Sequence, residues 1–141
     1  MARATLMKEL HFEVKNETAL LGRVTSTLAL HGVSILHLCA YSVGDKGVLQ
    51  TIVDKPDAAK TALKPFISGI VERDVVLAEF ENKTGTLAPV AKILGNHGIF
   101  IDSVYGTGSD GFKITGIFAT SDNAKAVRVI NEESGALNVR G

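Results

Sequence analysis

"NETALLGRVTSTLALHGVSI", Asn16 to Ile35, and "NKTGTLAPVAKILGNHGIFI", Asn82 to Ile101, are one pattern written twice, 66 residues apart (82 minus 16). In the first, Leu21, Val24 and Leu28 fall at i, i+3 and i+7; Leu87, Val90 and Leu94 match them in the second. That spacing puts three apolar side chains on one face of a helix. Both helices run into His-Gly, at His31-Gly32 and His97-Gly98, where glycine can take the left-handed conformation that ends a helix. The copies differ just before the helix, where the first has Ala19 and the second Gly85.

Working outward, each copy opens on period-two alternation: Leu10, Phe12 and Val14 in the first, then Val76, Ala78 and Phe80 at the same offset. Alternation of this kind marks a half-buried strand. After the helix, "VSILHLCAYSV" and "IFIDSVYG" read as strands that return through "VLQTIV" and "FKITGIFA" as hairpins. "DKPDAAKTAL" and "SDNAKAVRVI" carry Asp, Ser and Pro start signals and apolar residues at helical spacing, so each is a second helix. Short apolar pieces around Ile70–Val71 and 136–139 close the copies as final strands. The expected fold is α+β: two ferredoxin-like βαββαβ units in tandem, 1–72 and 73–141, each an antiparallel four-stranded sheet with its helices on one face.

Composition narrows the function. Of 141 residues, 45% are hydrophobic and 21% charged, an ordinary balance for a folded domain. Fifteen Lys plus Arg offset fifteen Asp plus Glu, so no basic field gathers nucleic acid or an anionic membrane. The lone Cys39 forms no intrachain disulfide and suits a reducing compartment. No apolar run has the length of a membrane span, and the first ten residues lack the hydrophobic stretch of a signal peptide. A cytoplasmic location is expected. A unit of about 66 residues buries only roughly 60% of its unfolded surface, so the copies are expected to pack together and then to dimerise.

The turn before the second-copy helix is the candidate site. Asn82, Thr84 and Gly85 precede a helix that opens at Thr86 and Leu87. Glycine there permits positive φ and removes the Cβ that would hold a ligand off the main chain; beyond it lie the unpaired amides of a helix start, which attract a carboxylate. The pattern Asn-x-x-Gly-x-Leu, a helix of about ten residues, then His-Gly-Ile-x-Ile-Asp resembles the ACT domain family, small regulatory modules that bind amino acids. The resemblance covers residues 8–67 and 74–133, and departs from the family pattern at Ala19 and at Phe100. It implies modules associating side by side, with an amino acid between the turn of one and the start of strand two of its neighbour. Asn82, Gly85, Thr86 and Leu87 are the implied ligand-binding residues, with Asn16 as the first-copy counterpart. Phe100 occupies a place where the family often has a polar residue, and Ser34 is its counterpart. A composite site would therefore join the second turn to the first-copy strand. Asp102 and Ser103, entering the second-copy strand, could hold the ammonium group.

Other constellations give less. His37 and Cys39 share a strand face, but His11, His31 and His97 add no spacing that completes a tetrahedral metal site. No GxSxG elbow is present, and "GTGSDG" at 106–111 joins two strands instead of leading into a helix, so it is a hairpin and not a nucleotide loop. A phosphatase-like hydrolase of this fold would want an arginine cradle in the first loop, whereas Arg23 lies within the helix. No catalytic residue, metal or cofactor is expected. The reading is a non-catalytic amino-acid sensor; the alternative is a dedicated regulatory subunit that associates with an amino-acid biosynthetic enzyme.

Overall fold

The structure is a computed structural model that describes residues 2–108 and 111–138. Its elements are β1 (Arg3–Lys15), α1 (Leu20–Leu30), β2 (Ile35–Val43), β3 (Lys46–Val53), α2 (Pro56–Leu63), β4 (Val71–Glu81), α3 (Leu87–Asn96), β5 (Ile101–Thr107), β6 (Lys113–Thr120) and α4 (Asn123–Asn138). The chain divides into two compact units, Lys8–Arg73 and Met1–Met7 with Asp74–Gly141. We call them inner and outer after their order along the chain. The first seven residues thus group with the later half.

Strand pairing explains that division. Hydrogen-bonding order is β2-β3-β1-β4-β6-β5: the inner unit holds β2, β3, most of β1 and the start of β4, and the outer unit holds β6, β5, most of β4 and the start of β1. β1 is one continuous strand whose first residues belong to the outer unit, and β4 likewise begins at Val71 in the inner unit and continues into the outer one. The apolar piece at Ile70–Val71 therefore leads straight into the next strand. The expected closing strand near 136–139 is replaced: Ala136 lies in α4, and Val139 is outside the described residues. The helix instead runs from Asn123 to Asn138. In its place the N-terminal segment of β1 docks on α4. Asn131 accepts from the Ala4 amide at 2.7 Å and donates to the Ala4 carbonyl at 2.9 Å, and Ser134 Oγ bonds the Ala2 amide and carbonyl at 3.2 and 2.9 Å. These side chains give partners to backbone groups of Ala2 and Ala4, whose burial would otherwise make them costly.

Within each unit both helices pack on one sheet face. In the inner unit Val24 and Leu28 of α1 and Ala59 and Leu63 of α2 meet Leu10, Phe12, Leu49 and Val53. In the outer unit Val90, Ile93 and Leu94 of α3 and Ala126, Val129 and Ile130 of α4 meet Val76, Ala78, Phe80 and Phe118. The helix ends follow the His-Gly reading. Gly32 and Gly98 have φ +69° and +66°, and the paired bonds Val33 N–H to Leu28 O and Gly32 N–H to Ala29 O recur as Ile99 to Leu94 and Gly98 to Gly95. This is the Schellman arrangement, twice. One member of each apolar triplet departs: Leu21 and Leu87 are 46% and 48% exposed, because the first turn of each helix overhangs a depression instead of the core.

Candidate functional site

The turn between β4 and α3 is tied down before it can bind anything. The Asn82 amide donates to Phe112 O at 2.8 Å and its side-chain nitrogen to Gly111 O at 3.2 Å, fastening the turn to the β5–β6 hairpin. Asn16 does the same work in the inner unit, through Asp45 O and Ser42 Oγ, both at 2.8 Å. Thr86 Oγ1 donates to Glu81 O at 2.7 Å and also lies 3.0 Å from Lys83 O, closing the turn on itself. Gly85 sits at φ +85°, and a Cβ placed there would meet nothing within 4 Å. The space above it is open. Ala19, its counterpart, has φ −99°, so the two turns take different backbone paths, and only the glycine path is closed to alanine without strain.

Below this turn the outer unit holds a cavity of about 380 Å³. Gly85, Thr86, Leu87 and Ala88 overhang it; Phe80, Val104, Tyr105, Gly106, Ile114 and Gly116 line it from the sheet, and Lys83 stands at the turn. The amides of Leu87 and Ala88 lie in the first helical turn, ahead of the helix's own i−4 carbonyls. Among the described residues no backbone carbonyl bonds them, and Pro89 next to them has no N–H to offer. Lys83 Nζ lies 2.9 Å from Glu81 Oε2; this pairing holds the Glu81 carboxyl below the usual carboxylate range.

At the corresponding place, under the turn before α1, the inner unit lacks an equal cavity for identifiable reasons. Gly106 faces Gly116 across β5 and β6, where the inner unit pairs Ala40 with Leu49. Leu49 is a core side chain, 3% exposed. Thr86 is matched by Leu20, which packs against the inner core and whose Cδ2 would lie 3.3 Å from a Cβ on Gly47. What remains is a depression of about 180 Å³ that includes Asn16, Leu21 and Tyr41. Two leucines thus occupy space that the outer unit leaves empty.

Of the residues singled out in the sequence, Gly85, Thr86 and Leu87 come together on the cavity. Asn82 and Thr84 belong to the same turn without lining it. Asp102 is exposed at an irregularity of β5 between Ile101 and Ser103; Ser103 pairs with Ala119, on the opposite sheet face from Val104 and Gly106. Ser34 is exposed, its amide donating to Asp54 Oδ1 at 2.8 Å, and Phe100 repeats that bond to Ser121 Oγ at 2.9 Å while its ring is 72% exposed. The sheet lining, Phe80, Val104, Tyr105, Gly106, Ile114 and Gly116, is not among the residues the sequence pointed to. Its signal was the Gly106/Gly116 pair against Ala40/Leu49, visible only once the one-residue difference between the hairpins is allowed for.

No comparable chemistry stands elsewhere among the described residues. No three His, Cys, Asp or Glu side chains cluster to hold a metal ion. Burial, and then the charge of Glu9, pushes the Cys39 thiol up, away from a reactive thiolate. His97 caps α3 and its ring pairs with Glu133 on α4, while Lys125 Nζ donates to His97 O at 3.2 Å; these contacts tie helix to helix. No helix among the described residues is long and apolar enough to cross a membrane.

No protein-family model matches the chain, and no curated protein sequence does. Solved structures do. Protein BT0572 from Bacteroides thetaiotaomicron is 30% identical, with a TM-score of 0.84 over 92% of this chain and 90% of that one. The ligand-free regulatory subunit of aspartate kinase from Thermus thermophilus matches with a TM-score of 0.67 at 14% identity, over 94% of this chain and 96% of that one. A chain of the aspartokinase alpha and beta subunits has a TM-score of 0.67 at 12% identity, over 92% and 95%. The last two likenesses concern fold alone, and they support the ACT-like α+β fold that the resemblance implied. By its identity and near-complete overlap, the chain belongs to one family with BT0572 of Bacteroides thetaiotaomicron.

Proposed function

We propose that the chain is a non-catalytic regulatory protein of two ACT-like modules that binds a free amino acid in the outer-unit cavity. The observation that carries this is the cavity itself: about 380 Å³ under a positive-φ glycine, with two first-turn amides above it. An amino-acid carboxylate suits the Leu87 and Ala88 amides, where the helix dipole favours negative charge. Asn82 and Thr84 keep the turn in shape. In a homodimer, Asp102, Ser103 and Ser34 at the strand starts of a second copy would complete the site in the manner the family resemblance implies. The fold shared with regulatory subunits of aspartate kinase supports a sensing role.

The test is a thermal-shift screen of the amino acids, followed by calorimetry. A ligand at a hundred times Kd stabilises the bound form by about 2.7 kcal/mol, which a melting curve resolves easily. One molecule bound per chain is expected, because Leu20 and Leu49 fill the inner counterpart. Two per chain would overturn the assignment to the outer cavity, and no stabilisation by any amino acid at millimolar concentration would overturn the reading.

A second reading, a regulatory subunit dedicated to an amino-acid biosynthetic enzyme, is favoured by the near-complete overlap with a chain of the aspartokinase alpha and beta subunits. Co-elution with such an enzyme from the native cell, altered by the bound amino acid, separates it from free-standing sensing.

A further inference from the structure

We infer that the ligand of the outer-unit cavity is an amino acid with a large apolar side chain, of the leucine, isoleucine or phenylalanine kind. This rests on the amino-acid reading above and adds the side-chain class. The walls decide it. Phe80, Val104 and Ile114 rise from the sheet, Leu87 and Ala88 cover them, and the floor at Gly106 carries no side chain. Among the described residues no carboxylate or side-chain amide lines the cavity. Its polar residues stand at the edge: the exposed Lys83 ammonium lies 2.9 Å from Glu81, the Thr86 hydroxyl donates to Glu81 O, and Tyr105 is half-buried on β5.

A charged or amide-bearing side chain entering this space would lose its hydration without gaining a partner, which is costly. An apolar one gains by leaving water. The volume lies within the usual range for small-molecule sites, so a leucine or phenylalanine side chain has room beneath the turn. The carboxylate end stays at the Leu87 and Ala88 amides, where every amino acid is alike. Selection therefore falls on the sheet side, and the Gly106 position controls how far a side chain can descend. A Cβ on Gly106 would meet only Thr115 O, at 3.5 Å, an ordinary contact. Gly106→Val is thus a way to fill the cavity from below without disturbing the core.

The experiment is isothermal titration of the full chain with leucine, isoleucine, phenylalanine, alanine, aspartate and lysine, repeated on Gly106→Val. Large apolar amino acids are expected to bind about 10- to 100-fold more tightly than alanine, the gain from burying such a side chain. Aspartate and lysine should bind more weakly than alanine, and Gly106→Val should weaken leucine by at least about tenfold while leaving the circular dichroism spectrum unchanged. Should that variant fail to fold, Leu87→Asn, at a half-exposed position on the lip, is expected to shrink the preference for leucine over alanine. Lysine or aspartate binding more tightly than leucine would overturn the inference and leave the amino-acid reading standing. Failure of every amino acid to bind would remove the reading itself.

Discussion

Gly106 and Gly116 face each other across β5 and β6, yet alanine at the two positions should act in opposite directions. A Cβ on Gly116 would lie 2.9 Å from Phe118 Cε2 and 3.4 Å from Phe80 Cε1. Phe118 is 1% exposed and pairs with Val76 on β4, so its ring cannot swing clear without moving the core. Overpacking of this kind costs typically 1–3 kcal/mol, and replacing a strand glycine returns roughly 0.5–1 kcal/mol. At the middle of both ranges Gly116→Ala is therefore expected to lose about 1 kcal/mol net. Gly106→Ala keeps the propensity gain and meets only the carbonyl at 3.5 Å, so it should be neutral or stabilising by about 0.5–1 kcal/mol. For a domain this small, each kcal/mol moves the melting temperature by about 4–8 °C. Thermal denaturation of both variants, with hydrogen exchange at β6 to assign the loss to the outer unit, tests the pair. Equal effects, or a Gly116→Ala protein within about 0.5 kcal/mol of the parent, would refute the packing argument.

Four further outcomes follow from the same structure. Gly85→Ala places a Cβ in open space but at φ +85°, so its cost is backbone strain alone, about 1–2 kcal/mol, read from denaturant midpoints. Arg73→Met leaves Glu9, fully buried and 2.7 Å from Arg73 Nε, without that cation; a loss of about 3 kcal/mol is expected in the inner unit. Asn131→Ala removes both bonds to the Ala4 backbone, costing about 1–3 kcal/mol and raising proteolysis at the N-terminal strand. Burial, and then the Arg73 charge, holds His11 below 6.5. Its folded form resists protonation, so its stability contribution is whole above about pH 6.5 and falls as pH drops through that value toward the lower folded pKa. His11→Gln should flatten the melting temperature between about pH 7 and 5.

Much of this molecule could be read from local pattern. The helices, both hairpins and both His-Gly stops depend on spacings within a dozen residues, and their physical causes are equally local: a 3.6-residue period, a 2-residue period, a glycine at positive φ. The contrast of Ala19 with Gly85 likewise survived as a difference in backbone path. The strand at 136–139 did not, because a helix end is a contest between continuing the helix and docking something else. That contest was won by residues 2–4, more than a hundred positions away, through Asn131 and Ser134.

The candidate site divides the same way. The turn, its glycine and the first helical amides were determined by contiguous sequence, since a turn's conformation is set by the residues that make it. The space beneath them was decided only by tertiary structure: Phe80, Val104, Gly106 and Gly116 come from three strands, and what matters is the volume their side chains leave unfilled. An empty volume belongs to no residue. It exists because Gly106 and Gly116 stand in register where the inner unit has Ala40 and Leu49, and register across strands is a property of the assembled sheet.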